Sequence, residues 1–149
     1  MDKNVFSKCK ALHYRKTYII SALGNAACKK AKVVKYIRLP DLFFELDQAR
    51  RNGKYKPKLR LYARAEVLII DEFLLNPTTQ EQQGDILELF ELRYDSHTTI
   101  IASQFVPQGW HENLGSSAIA DTILDRIINS SYKILLEGTS MREEYSKLK

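Results

Sequence analysis

Apolar positions along this chain alternate between helical spacing and short unbroken runs. Over residues 17–30, Ile19, Ile20, Leu23, Ala26 and Ala27 fall on one side of a helix, and Val33-Val34-Lys35-Tyr36-Ile37 then reads as a strand. Pro40-Asp41 opens a second helix whose Leu42, Phe43, Leu46 and Ala49 share a face, with Arg50 and Arg51 in its last turn and Gly53 ending it. A short basic helix is predicted over 57–64. Val67-Leu68-Ile69-Ile70 is purely aliphatic and runs straight into Asp71-Glu72, as expected of a parallel strand covered on both faces. Thr79 and Gln82 have capping-box spacing for a helix reaching about Tyr94, with Ile86, Leu87, Leu89 and Phe90 on its core side. Thr98 to Ala102 reads as another buried strand, Ser116 or Ser117 caps a helix through Asn129, and Tyr132 to Leu136 closes the sheet. This alternation predicts a three-layer α/β domain built on a mainly parallel sheet.

Composition supports a packed domain and adds one asymmetry. The 149 residues suit a single α/β domain, with 44% apolar and 28% charged positions. The net charge of +5 conceals a division: residues 1–64 hold 17 Lys/Arg against 4 Asp/Glu, residues 65–149 hold 6 against 14. Lys29, Lys30, Lys32, Arg50, Arg51, Lys54, Lys56, Lys58 and Arg60 lie in the basic half, with Tyr55 and Tyr62 among them. Such a set can contact a phosphate backbone without reading sequence, which points to DNA; scattered surface lysines are the plainer alternative. No apolar run reaches membrane-spanning length, and Met1 to Phe6 holds no signal-peptide core. Cys9 and Cys28 lack zinc-site or disulfide-framework spacing, so a reducing, cytoplasmic setting is expected. His13, His97 and His111 show no metal-ligand spacing and receive no catalytic role.

Ligands of open parallel sheets bind outside the carboxyl ends of the strands. Asp71-Glu72 stands at such an end, where one acid can hold a hydrated Mg²⁺ and its neighbour can polarise water; an acidic turn is the alternative. Ser103-Gln104 stands at another, able to read a phosphate or orient a water, or to serve as ordinary loop polar groups. Lys16-Thr17 has the form of the end of a phosphate loop, where Lys reaches the terminal phosphates and Thr binds Mg²⁺. The glycines that should precede it are missing: the first glycine in the chain is Gly24, and Arg15 occupies the place of the last loop glycine. Side chains obstruct the close backbone approach that a phosphate cradle needs, which argues against tight ATP binding. Arg126, in Ile123-Leu124-Asp125-Arg126-Ile127-Ile128, should project away from the aliphatic face; it can act in trans on a neighbour's phosphate or pair with Asp121 or Asp125.

Collinear blocks then run through nearly the whole chain: Lys16-Thr17-Tyr18-Ile19, Ala22-Leu23-Gly24-Asn25-Ala26-Ala27-Cys28, Arg38-Leu39-Pro40-Asp41-Leu42, Leu68-Ile69-Ile70-Asp71-Glu72-Phe73, Thr99-Ile100-Ile101-Ala102-Ser103-Gln104, Trp110-His111-Glu112, Ala120-Asp121-Thr122-Ile123-Leu124-Asp125-Arg126-Ile127 and Gly138-Thr139-Ser140-Met141-Arg142. Together they resemble the IstB/DnaC-type AAA+ ATPases, specifically the IstB-like helpers of insertion-sequence transposition. The resemblance implies a P-loop NTPase core of AAA+ or RecA-like type over residues 16–145, after a degenerate segment 1–15 that replaces the first strand and phosphate loop, and before a tail 146–149. It implies ATP and Mg²⁺ as cofactors, Lys16 and Thr17 as the surviving end of Walker A, Asp71 as the magnesium residue and Glu72 as the residue activating water. It further implies a sensor at Ser103 or Gln104, an arginine finger at Arg126 and a second sensor at Arg142. Its partners would be duplex DNA, the transposase of the same element and further copies of the chain. The abrupt return of family sequence at Lys16 suggests a gene scrambled just upstream, with Asn4-Val5-Phe6 as a vestige of the strand. The alternative expectation is a nucleotide-free module that binds DNA or a subunit, or a decayed reading frame with no selected role.

Overall fold

The computed structural model describes residues 4–8 and 13–136. The described elements are β1 (Asn4–Lys8), α1 (His13–Lys29), β2 (Val34–Arg38), α2 (Leu39–Arg51), α3 (Tyr55–Ala63), β3 (Val67–Asp71), α4 (Gln80–Arg93), β4 (Thr98–Ser103), α5 (Pro107–Asn113), α6 (Ala118–Ile128) and β5 (Ser131–Leu135). The five strands form one sheet in the order β2-β3-β4-β1-β5, and every neighbouring pair is parallel. Each helical connection therefore returns the chain to the starting edge of the sheet, leaving all strand carboxyl ends together at the opposite edge. Asn4–Lys8 is a full central strand in backbone terms, pairing with β4 on one side and β5 on the other.

Local signals account for most elements. The aliphatic run of β3 is buried from end to end, which fits its place between two strands and two helical layers. Thr79 caps α4 through both bonds of a capping box: its hydroxyl accepts from the Gln82 N–H, and the Gln82 side chain accepts from the Thr79 N–H. Ser117 caps α6 by accepting from Ala120 N–H. Pro40 and Pro107 stand in the first turns of α2 and α5, where a missing N–H costs nothing.

The two sheet faces are covered unequally. On one, α2, α3, α4, α5 and α6 contribute to a continuous core that includes Leu42, Leu46, Leu59, Leu68, Ile70, Phe73, Ile86, Leu89, Trp110 and Ile123. Phe73 meets Phe90 and Trp110 edge-on at centroid distances of 6.2 and 5.1 Å. On the other face, α1 packs over a small cluster of Ile20, Val67, Ile69, Ile100 and Ala102.

Helix α1 corrects the sequence expectation in two respects. It begins at His13 rather than 17, and Ile20, Gly24 and the half-buried Ala27 form its sheet side while Leu23 and Ala26 are exposed. Gly24 explains the rotation: a Cβ there would come within 2.9 Å of Ile69 Cδ1, so the glycine lets α1 approach β3 closely. Helix α5 was not anticipated; its Trp110 is buried and its short length gives little periodicity to read.

Candidate functional site

The strand order places the carboxyl ends of β2, β3 and β4 side by side, and the start of α1 packs beside them. In the parallel pairing of β2 with β3, Arg38 is the register partner of Asp71 and Tyr36 of Ile69. Side chains at 67, 69 and 71 share the face covered by α1, because strand side chains alternate. Three groups consequently converge on Asp71, which is 5% exposed. Thr17 Oγ1 donates to Asp71 Oδ2 at 3.0 Å, and the Tyr36 hydroxyl donates to the same oxygen at 2.9 Å. The Glu72 N–H donates to Asp71 Oδ1 at 2.8 Å. Burial, together with the Asp71 carboxylate beside it, pushes the Tyr36 hydroxyl well above its ordinary pKa, so it remains a proton donor throughout the physiological range.

Lys16 adds a buried cation to the same edge. It is 3% exposed, and its Nζ donates to the Ser103 carbonyl at the end of β4 at 2.9 Å. Glu72 follows β3 in a left-handed conformation with φ of +52° and meets Arg38 Nη2 at 2.7 Å through Oε2. That backbone turn carries the Glu72 side chain to the end of β2, where Arg38 also lies 3.7 Å from Asp41. Glu72 further borders a groove of about 480 Å³ between α2 and the start of α4, whose apolar wall includes Leu39, Phe43, Phe44 and Leu74.

The chemical capacity of this arrangement follows from its donors. A hydroxyl and a carboxylate 3.0 Å apart form an oxygen pair suited to a hard divalent cation, and a buried ammonium nearby suits phosphate oxygens. The residues therefore fit Mg²⁺ and a polyphosphate in charge and donor type.

The family described as IstB-like ATP binding protein matches residues 13–148. The chain belongs to that family. This IstB-like chain is 39% identical over 127 residues to the insertion sequence ATP-binding protein y4pL of Sinorhizobium fredii, covering 85% of this chain and 52% of that protein. It is 29% identical over 127 residues to the insertion sequence IS21 ATP-binding protein of Pseudomonas aeruginosa, covering 85% and 48%. The chain thus spans about half the length of the curated relatives it matches. Among solved structures, the DnaC helicase loader is similar with a TM-score of 0.73 at 19% identity, over 91% of this chain and 78% of that one. AMPPCP-bound DnaA from Aquifex aeolicus gives a TM-score of 0.74 at 18% identity, over 91% and 40%. At that identity the likeness is one of fold: an AAA+ type P-loop ATPase core.

The IstB-like chain gathers Lys16, Thr17, Asp71 and Glu72 at one edge, as their motifs predict, but treats the other candidates differently. Ser103 is 2% exposed, and its hydroxyl donates to the Phe73 carbonyl while accepting from Phe105 N–H and Trp110 Nε1–H. That side chain ties β3, β4 and α5 together on the thick core side, while its carbonyl faces Lys16. Gln104 is exposed beyond it. Arg126 sits near the end of α6 with its guanidinium 4.8 Å from the Tyr94 ring centroid, a cation–π contact. The acids proposed for it are engaged elsewhere: Asp121 with His111, and Asp125 with Asn129. Tyr94 precedes β4, so Arg126 stands by the amino ends of the strands and Asp71 at their carboxyl ends, a strand length of about 16 Å apart along the strand direction. Arg142 lies outside the described residues.

The nine candidate DNA contacts also divide. Lys32 pairs with Glu66 at 2.8 Å, Arg51 with Asp47 at 2.8 Å and Lys58 with Glu45 at 3.4 Å. Lys56 pairs with Glu88, and Arg50 reaches Asp85 at 2.7 Å and Glu81 at 3.1 Å. Lys29, Lys30, Lys54 and Arg60 are exposed and make no ion pair among the described residues.

Sequence reasoning missed Tyr36 and the pairing of Arg38 with Glu72. Both depend on β2 lying next to β3, a neighbour relation that local periodicity does not contain. The block Arg38-Leu39-Pro40-Asp41 marked the region without revealing the contact.

Proposed function

We propose that this chain binds ATP with Mg²⁺ at the Lys16–Thr17–Asp71 edge and works as an ATP-dependent helper of DNA transposition in the cytoplasm, binding duplex DNA and assisting a transposase. The observation that carries this reading is the convergence of Thr17 on Asp71 at 3.0 Å, across α1 and β3, with the buried Lys16 bound to the end of β4. Family membership and the names of the relatives support it.

In this reading Thr17 and Asp71 hold the cation, and Lys16 exchanges the Ser103 carbonyl for phosphate oxygens. Bound Mg²⁺ supplies charge neutralisation on the phosphates. Glu72 takes the role of orienting and deprotonating water once its carboxylate leaves Arg38; while that ion pair persists, its Oε2 is occupied by the guanidinium. Arg126, on the far edge, serves a neighbouring copy rather than its own site, which makes an oligomer the working form. Arg142 keeps its role as a second sensor, and Gln104 is the better placed of the two first-sensor candidates because it is exposed. Because no glycine precedes Lys16, turnover is slower than in a chain with a complete phosphate loop.

A second reading has its own observation. Lys16 donates to the Ser103 carbonyl and Thr17 to Asp71, so both side chains have partners within the chain, which suits a module that binds DNA or a subunit alone. Titration with a fluorescent ATP analogue and Mg²⁺ separates the two. Saturable binding that is lost in Lys16→Ala supports the nucleotide reading; no saturation, or binding indifferent to that substitution, overturns it.

A further inference from the structure

Subtracting the ion-paired cations from the basic half leaves, apart from Lys54 at the start of α3, a localised remainder among the described residues. Lys29 and Lys30 end α1 and begin the turn into β2; Lys35 lies on β2; Arg60 and Arg64 stand one turn apart at the end of α3. None of the five makes an ion pair among the described residues, and Lys35 has only the Tyr62 ring, 6.0 Å from its Nζ. All belong to one corner of the molecule, where the N-terminal end of β2 forms the open edge of the sheet.

A groove of about 410 Å³ runs along that edge, lined by Lys35, Arg60 and Arg64 together with Val33, Pro57 and Leu61. Val33 and Leu61 are exposed at 57% and 46%. The acid of this corner, Glu66, is taken up by the Lys32 ammonium and the Val33 N–H, which hold its carboxyl below the ordinary range. The carboxyl ends of the strands instead mix the acids Asp71, Glu72 and Asp41 with Lys16 and Arg38.

We propose that duplex DNA lies across this β2 corner, its phosphates taken by Lys29, Lys30, Lys35, Arg60 and Arg64, while Arg50, Arg51, Lys56 and Lys58 stay paired with acids and do not touch it. The inference rests on the DNA-binding reading above and assigns it a surface remote from the nucleotide edge. Backbone phosphates are the fitting partner because four of the cations are exposed, Lys35 is half-buried in the groove wall, and the set carries no planar base-reading amides.

The test uses the full chain and a labelled random-sequence duplex, with anisotropy measured across a salt series. One variant combines Lys35→Gln, Arg60→Gln and Arg64→Gln; the control combines Arg51→Gln, Lys56→Gln and Lys58→Gln, removing the same charge. Circular dichroism establishes that both retain their helices. The expected result is a loss of at least about tenfold in the first variant, with the slope of log affinity against log salt shallower by about 2 to 3, and a loss under about threefold in the control. Equal losses in both variants overturn the corner assignment while leaving DNA binding intact. Absence of salt-sensitive binding in the unmodified chain overturns the DNA reading itself.

Discussion

The two faces of the sheet divide the labour of this molecule. The face under α2, α3, α4, α5 and α6 holds the long list of fully buried aliphatic and aromatic side chains, whereas the α1 face holds Ile20, Val67, Ile69, Ile100 and Ala102. Yet the chemistry-bearing groups Lys16, Thr17, Tyr36 and Asp71 meet on the α1 side. Stability scales with apolar area removed from water, so the thick face supplies most of it. The thin face carries the buried Lys16 and Asp71, which are useful because they can exchange partners. Substitutions on the thick face should unfold the chain, and those on the thin face should change what it binds.

Arg93 offers the largest break in this comparison. It is a charged residue 2% exposed on the thick side, with Nη1 donating to the carbonyls of Tyr62, Ala63 and Ala65 and Nη2 to that of Thr98. Its Nε donates to Thr99 Oγ1 at 2.9 Å. One guanidinium thus closes the end of α3 and joins it to the start of β4. Arg93→Ala strands several buried carbonyls, and each unmet buried polar group costs about 1 to 3 kcal/mol. The expected loss is at least about 3 kcal/mol against a domain stability of order 5 to 15 kcal/mol. Urea unfolding monitored by circular dichroism measures it, and a loss below about 1 kcal/mol would contradict the structural role.

A smaller effect on the same face is dependent on pH. Asp85 is 5% exposed and accepts from the Tyr55 hydroxyl at 2.7 Å and from Arg50 Nη2 at 2.7 Å. Burial raises its carboxyl above the ordinary value, and Tyr55 and Arg50 offset only part of that rise. A carboxyl whose folded pKa exceeds its unfolded value binds more protons in the folded state. Its contribution to stability is therefore fully present below about pH 4, the unfolded Asp value, and declines as pH rises through the folded pKa. Asp85→Asn should remove this downward component from the stability profile. Urea midpoints measured every half unit from pH 4 to 7 in both proteins read it directly; parallel profiles would show that Asp85 titrates as it does in the unfolded chain.

Legibility in the sequence follows the range of the interaction. The Thr79–Gln82 box and the Val67–Ile70 strand were readable because each is decided by residues a few positions apart. The paired acid at the end of β3 was readable for the same reason. Arg93 was not: at the end of a helix a cation reads as a favourable solvent-facing charge, and only the packing of segments about thirty residues apart turns it inward. The charge division misled in a related way. The acids Glu66, Asp85 and Glu88 of the second half fold back onto Lys32, Arg50 and Lys56 of the first, so the excess of the basic half is much reduced where these meet. Ser103 shows the limit at the site itself. Its position at the carboxyl end of β4 was legible, but the partners of its hydroxyl belong to Phe73 and Trp110 on the opposite side from Lys16.

The thin face should yield the smallest stability change and the clearest change in binding. The Tyr36 ring is 47% exposed, so Tyr36→Phe removes little packing. It removes one of two hydroxyl protons on Asp71 Oδ2, the other being that of Thr17. The expected destabilisation is about 1 kcal/mol, the ordinary net value of one hydrogen bond. A proton held on that oxygen competes with a cation for the same lone pairs, so the variant should gain Mg²⁺ affinity as it loses stability. Thermal unfolding with and without millimolar Mg²⁺ separates the two consequences, since a ligand of the folded state stabilises it by RT ln(1 + [L]/Kd) and so raises the melting temperature more the tighter it binds. The expected outcome is a lower melting temperature without Mg²⁺ and a larger Mg²⁺-dependent rise than in the unmodified chain. A smaller rise would instead make Tyr36 the group that holds Asp71 in its cation-binding orientation.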